Sequence, residues 1–153
     1  MSEPITETWL RDVGFKWGDE FNGVKHWILW MGGAVASKNS FASEDLGVEV
    51  AKTFSNDGAW HCWIRADYCG RYSRFVHIRY LRHQHELTEL IAAMTGFPFD
   101  PANSAYGSYH RPEAAERLRG YRERLEVQMA EQWGQRAMRQ AGQDPNGRDR
   151  VTP

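Results

Sequence analysis

The feature that most constrains this chain is a change of hydrophobic period at Arg82. From Trp60 up to that point polar and apolar side chains alternate in two short runs. After it, Leu87, Leu90, Ile91 and Met94 recur at a spacing near 3.6 until Gly96. A period of two sends alternate residues to opposite faces of a strand, whereas 3.6 gathers them on one side of a helix. The chain therefore places a sheet before a helix, and the fold class predicted is α+β.

The strands follow from composition and punctuation. Val24 to Met31 is aromatic and β-branched, with Asn22-Gly23 before it and Gly32-Gly33 after it. Leu46 to Phe54 is a weaker candidate that ends at the turn Ser55-Asn-Asp-Gly58. Trp60 to Asp67 and Phe75 to Leu81 are joined by a short segment containing Gly70, which makes them an antiparallel pair. Together they predict an antiparallel sheet of about four strands in meander order.

Three helices are expected around it. A short one covers Thr6 to Val13 and stops at Gly14, the middle one ends at Gly96, and a long one opens at Arg111-Pro-Glu113. The last carries Ala114, Leu118, Tyr121, Leu125, Met129 and Trp133 on one stripe. Between helices, Phe97-Pro-Phe-Asp-Pro101 reads as a proline-stiffened loop. The expected organisation is a single α+β domain over 1–141 and a disordered tail over 142–153.

Composition narrows the function classes. Seven Trp, seven Phe and six Tyr imply an aromatic core in a folded chain. No apolar run approaches the ~20 residues of a membrane span, and the N-terminus lacks a secretory pattern, so a cytoplasmic protein is expected. Cys62 and Cys69 are too few for a disulfide framework or a zinc finger. Gly-rich phosphate loops, nucleophile elbows and paired-histidine zinc motifs are all missing, so neither a cofactor nor an assigned catalytic residue is expected.

Charge is placed unevenly. The chain has net charge -1, but residues 1–57 are net -4, 61–85 net +4 and 86–153 net -1. Alternation across the basic ribbon assigns Trp60, Cys62, Ile64, Ala66, Val76, Ile78 and Tyr80 to the core. It sends His61, Trp63, Arg65, Phe75, His77 and Arg79 to the opposite face, joined by Lys25 and Trp27 if the first strand follows suit. A face both basic and aromatic can stack bases and hold phosphates. The candidate contacts are Arg71, Arg74, Arg79, Arg82, Arg65, His77 and Trp63, with Arg71 and Arg74 beside the hairpin connection as the best placed. Alternatively the long helix covers this face, its Glu116, Glu123 and Glu126 pairing with Arg65 and Arg79.

The histidines admit further readings. His83 and His85 have a spacing that would suit a metal if His110 or Cys69 approached, although helix-start residues are more often solvated or capping. Asp67, His61 and His77 are residue types that a hydrolase uses. A small metal-dependent or acid/base nuclease is therefore an alternative, as is a structural or assembly protein that uses the long helix as an interface.

The runs Trp9-Leu-Arg-Asp-Val-Gly-Phe-Lys16, Lys25-His-Trp-Ile-Leu-Trp-Met-Gly32 and Arg71-Tyr-Ser-Arg-Phe-Val-His-Ile-Arg-Tyr-Leu-Arg82 resemble an uncharacterised group of small proteins encoded by tailed phages and prophages. Asp100-Pro-Ala-Asn103, Tyr106-Gly-Ser108 and Arg111-Pro-Glu113 extend the resemblance through about Leu118. It implies an accessory protein that acts by binding a host or defence complex, or nucleic acid. No catalytic residues come with it. Neither the residues nor the resemblance specify an oligomeric state.

Overall fold

The computed structural model describes residues 3–21, 23–31, 44–55, 57–68, 72–105 and 107–142. The chain divides into two compact units, Met1–Gly120 and Tyr121–Pro153. Among the described residues, no helix is long and apolar enough to cross a membrane.

The first unit opens with helix α1 (Glu7–Asp12), whose N-cap Thr6 accepts a hydrogen bond from Trp9 N at 3.1 Å. Gly14 ends that turn at φ 106°, a left-handed conformation that side chains other than glycine rarely adopt. Strands β1 (Lys16–Phe21), β2 (Val24–Trp30), β3 (Glu44–Lys52), β4 (Trp60–Tyr68) and β5 (Tyr72–Leu81) follow, then helix α2 (Gln84–Thr95). Glu86 starts α2 by accepting the backbone N–H groups of Arg82 and His83, each at 2.9 Å. Two-residue strands β6 (Ser104–Ala105) and β7 (Ser108–Tyr109) precede helix α3 (Ala115–Gly142).

The four-strand meander is overturned. The sheet has seven strands in the order β5-β4-β3-β2-β7-β6, with β1 also paired to β2. It is mixed, because β2 and β7 run parallel where Trp30 meets Ser108, while the other ladders are antiparallel. β1 eluded the pattern because its polar residues Lys16, Asp19 and Glu20 mask a strand whose Phe21 pairs back onto Val24 of β2. β6 and β7 are too short to show a period. They are held by non-local bonds, Trp30 N to Gly107 O at 2.6 Å and Gly107 N to Gly14 O at 2.9 Å.

Helix α3 is shared between the two units. Only Ala115–Gly120 fall in the first unit, where Leu118 is buried and Arg117 donates through Nε and Nη2 to Ala93 O at 3.2 and 3.0 Å. Tyr121 onward makes the second unit, in which Arg124 lies over the Tyr121 ring at 5.8 Å.

The core joins one sheet face to α1 and α2. Leu29, Val48, Val50, Cys62, Ile64 and Leu81 meet Leu10, Leu87, Ile91 and Met94, all at 0–1% exposure. Each such side chain contributes roughly 1.5–3 kcal/mol on burial. Trp60 closes the core at 1% exposure, its Nε1 donating to Ile5 O at 3.2 Å.

A Cβ added at Gly14 would stand 2.1 Å from Ser104 Cβ. Gly14→Ala combines that clash with an unfavourable φ, so a loss of about 2–4 kcal/mol in urea unfolding is expected. An unchanged midpoint would mean that the α1–β1 turn does not rest on Ser104.

Candidate functional site

Register decides what the second sheet face displays. Trp27 pairs with Val50 and is 2% exposed, so it belongs to the core face, and His26, Ile28 and Trp30 take the opposite face. The expectation that Trp27 faces outward beside Lys25 is therefore corrected. Lys25 and Trp27 do share a side, but it is the one from which α1's Arg11 reaches the Trp27 ring at 5.6 Å.

On β5 the alternation breaks. Cys62 pairs with Arg79 but Trp63 pairs with His77, leaving Ile78 as the extra residue of a β-bulge. Beyond it the parity reverses. Tyr80, expected in the core, pairs with His61 and is 57% exposed, while Arg79 leaves the ribbon face and sits opposite buried Cys62. Val76, paired with Ile64, keeps its core-side place but is only half-buried, as is Ile78.

The outward groups form a continuous ladder. His26 stacks on Trp63 with centroids 5.5 Å apart and planes 14° apart, and Trp63 stacks on His61 at 5.2 Å and 18°. Tyr80 lies 4.8 Å from His61, and His77 stands edge-on to Trp63 and His61 at 5.9 and 5.7 Å. Phe75, 48% exposed, holds one side of Arg65 at 5.2 Å, and Trp30 approaches the same guanidinium at 5.2 Å. Trp30 can lie there because β3 has glycine beneath it: a Cβ on Gly47 would be 2.8 Å from its ring.

Glu49 ties the ladder to the cation. At 6% exposure, its two carboxylate oxygens take Arg65 Nη1 at 3.1 Å and His26 Nδ1 at 3.0 Å. A buried carboxylate needs such partners. Within the sheet, Glu49 is thus a carboxylate partner of Arg65.

Beside the ladder's outer end lies an open groove of about 350 Å³, bordered by His61, Tyr80, Phe54, Asp57 and Arg82. Arg82 Nη2 pairs with Asp57 Oδ2 at 3.0 Å, and its Nη1 donates to Asp57 O. The Asp57 carboxyl is held down to about 2 by the Ala59 N–H, the Ser55 hydroxyl and Arg82.

The expected contact set is thus redistributed. Trp63, Arg65 and His77 are brought together, Arg82 borders the adjoining groove, and Arg79 is removed to the other face. Arg71 lies outside the described residues, and Arg74 has only its backbone place in β5 opposite Ala66. His83 and His85 stack on each other 5.7 Å apart at the start of α2, both exposed. No group of three metal-ligating side chains occurs among the described residues, and Cys69 lies outside them. Cys62 is no nucleophile, because burial pushes its thiol up to about 12. Asp67 pairs with Asp45 and Ser73 in the ladder registers, whereas His61 pairs with Ala51 and Tyr80, so strand position does not join it to the histidines.

Four contributors were missed in the sequence: His26, Trp30, Glu49 and Tyr80. A one-residue shift of the β2 alternation would have found the first two. Glu49 shows only as an acid between Val48 and Val50, and the bulge that exposes Tyr80 carries no sequence signal. Compared with protein-family models, curated proteins and solved structures, the chain matches none.

Two outcomes test this geometry. Glu49→Gln removes the carboxylate that Arg65 and His26 share, and because both partners keep some solvent a loss of about 1–3 kcal/mol in urea unfolding is expected. Burial first, then the neighbouring His77 and His26, holds the His61 imidazole below its ordinary 6.5. Its NMR titration midpoint should therefore fall below 6.5. Since the unfolded chain then takes up this proton first, the His61 contribution to stability is full above about pH 6.5 and declines as pH drops through the folded value. A midpoint at or above 6.5 contradicts the packing of the ladder.

Proposed function

We propose that this chain is an accessory protein of phage or prophage type that acts by binding, and that its ladder face takes single-stranded nucleic acid, free or within a host or defence complex. The observation that carries this is the run of near-parallel rings His26, Trp63 and His61, flanked by exposed Phe75, His77 and Tyr80. Unpaired bases can stack on the exposed rings Phe75, His77 and Tyr80 that the run supports, each stacked base contributing about 1–3 kcal/mol. Trp63 has both ring faces taken by the His26 and His61 imidazoles, so it anchors the ladder that carries the exposed rings, and His61 in turn contacts Tyr80.

The electrostatic part of the reading changes. Arg65 and Arg82 already have carboxylate partners and Arg79 is on the other face. Stacking, rather than phosphate neutralisation, is then the main source of affinity, and salt dependence should be shallow. A duplex hides its base faces and should bind more weakly.

Fluorescence anisotropy with single-stranded and duplex oligonucleotides tests this. Phe75→Ala and Tyr80→Ala change exposed rings that the core does not need, and each should weaken single-strand binding by about 1–3 kcal/mol. Equal affinity for wild type and both variants, or preference for duplex with a steep salt slope, would defeat the stacking reading.

A further inference from the structure

The sheet stops at β5. Among the described residues this strand of 10 residues pairs with β4 alone, so one of its edges meets no other strand. Every second backbone N–H and C=O along such an edge points outward, a ready template for a further strand. From Tyr72 to His77 the ladder with β4 keeps its register without a break, and the bulge comes only at Ile78. That regular stretch has neither proline nor lysine, residues that commonly blunt an edge, and Arg74 is its one charge.

Packing stops short at the same place. In β4 the core-side residues Cys62, Ile64 and Ala66 are buried, whereas Val76, paired with Ile64, and the bulged Ile78 are only half-buried. A strand added outside β5 would cover their outer flank and give the exposed Phe75 a neighbour on the other face. Charge selects the occupant. Tyr72–Leu81 holds Arg74 and Arg79 and no acid, so opposite charges across the new pair favour an acidic strand. Glu86 of α2 lies in the field of Arg79, but its carboxylate is engaged by the N–H groups of Arg82 and His83. A second copy of β5 would bring further arginines to the same edge, which disfavours self-pairing.

We propose that β5 is a docking edge, which takes an extended acidic segment of a partner protein as one more strand. Backbone bonds to Tyr72–His77 supply the affinity, and acids at the strand positions beside Arg74 and Arg79 supply the choice of partner. The ring faces of the ladder take no part, so this inference and the stacking reading fail separately.

The test follows the backbone amides of the full-length ¹⁵N-labelled protein during titration to about 1 mM with a synthetic peptide of alternating glutamate and valine. Two peptides of equal length serve as controls. One replaces glutamate by lysine, and the other replaces valine by proline, which keeps the charge but cannot form a ladder. Saturable movement of the Tyr72–His77 amides, with slowed hydrogen exchange at every second one, is expected from the glutamate–valine peptide alone. Arg79→Glu, at an exposed position, should leave the fold intact and weaken that binding about tenfold. Amides that no peptide moves, an equal response to either control, or unchanged affinity in Arg79→Glu overturns the proposal. So does protection of the same amides that rises with protein concentration in the absence of peptide, because the occupant is then a second copy.

Discussion

A carboxylate inside a sheet has to be answered by its neighbours, and Glu49 is answered from both sides. It stands on β3 between β2 and β4, takes His26 from one and Arg65 from the other, and thereby ties three strands across the face that carries the ladder. The remaining arrangement depends on this pairing. His26 held by its Nδ1 presents a fixed ring to Trp63, and Arg65 held by Nη1 extends between Trp30 and Phe75. In low dielectric such a network is worth keeping only when every member is satisfied, which makes the face rigid as well as polar.

The bulge at Ile78 is the second determinant. A strict two-residue repeat would have put Tyr80 into the core and Arg79 beside His77. One inserted residue reverses the parity, so the face gains a ring and loses a charge. The surface is consequently more aromatic and less cationic than its net +4 segment implies. Binding through stacked rings therefore fits it better than binding through phosphate contacts.

Much of the scaffold was legible. Val24-Lys-His-Trp-Ile-Leu-Trp could hardly be anything but a strand, the stops at Gly14 and Gly96 are where left-handed backbone ends α1 and α2, and Trp60, Cys62, Ile64 and Ala66 form the predicted core row. Those features are local, set by side-chain shape and backbone preference. The strands β1, β6 and β7 were not legible, because polar or two-residue segments become strands only when a distant partner supplies their hydrogen bonds.

By itself, then, the sequence determined the class of elements, the change from sheet to helix at Arg82 and the core row of β4. It also placed Trp63, Arg65 and His77 together, since alternation and cross-strand adjacency need only a strand and its neighbour. Tertiary structure alone decided the parity of β2 and β5, the partners of Glu49 and the place of β5 at the end of the sheet. Register, bulges and strand order are chosen by the summed fit of a whole sheet.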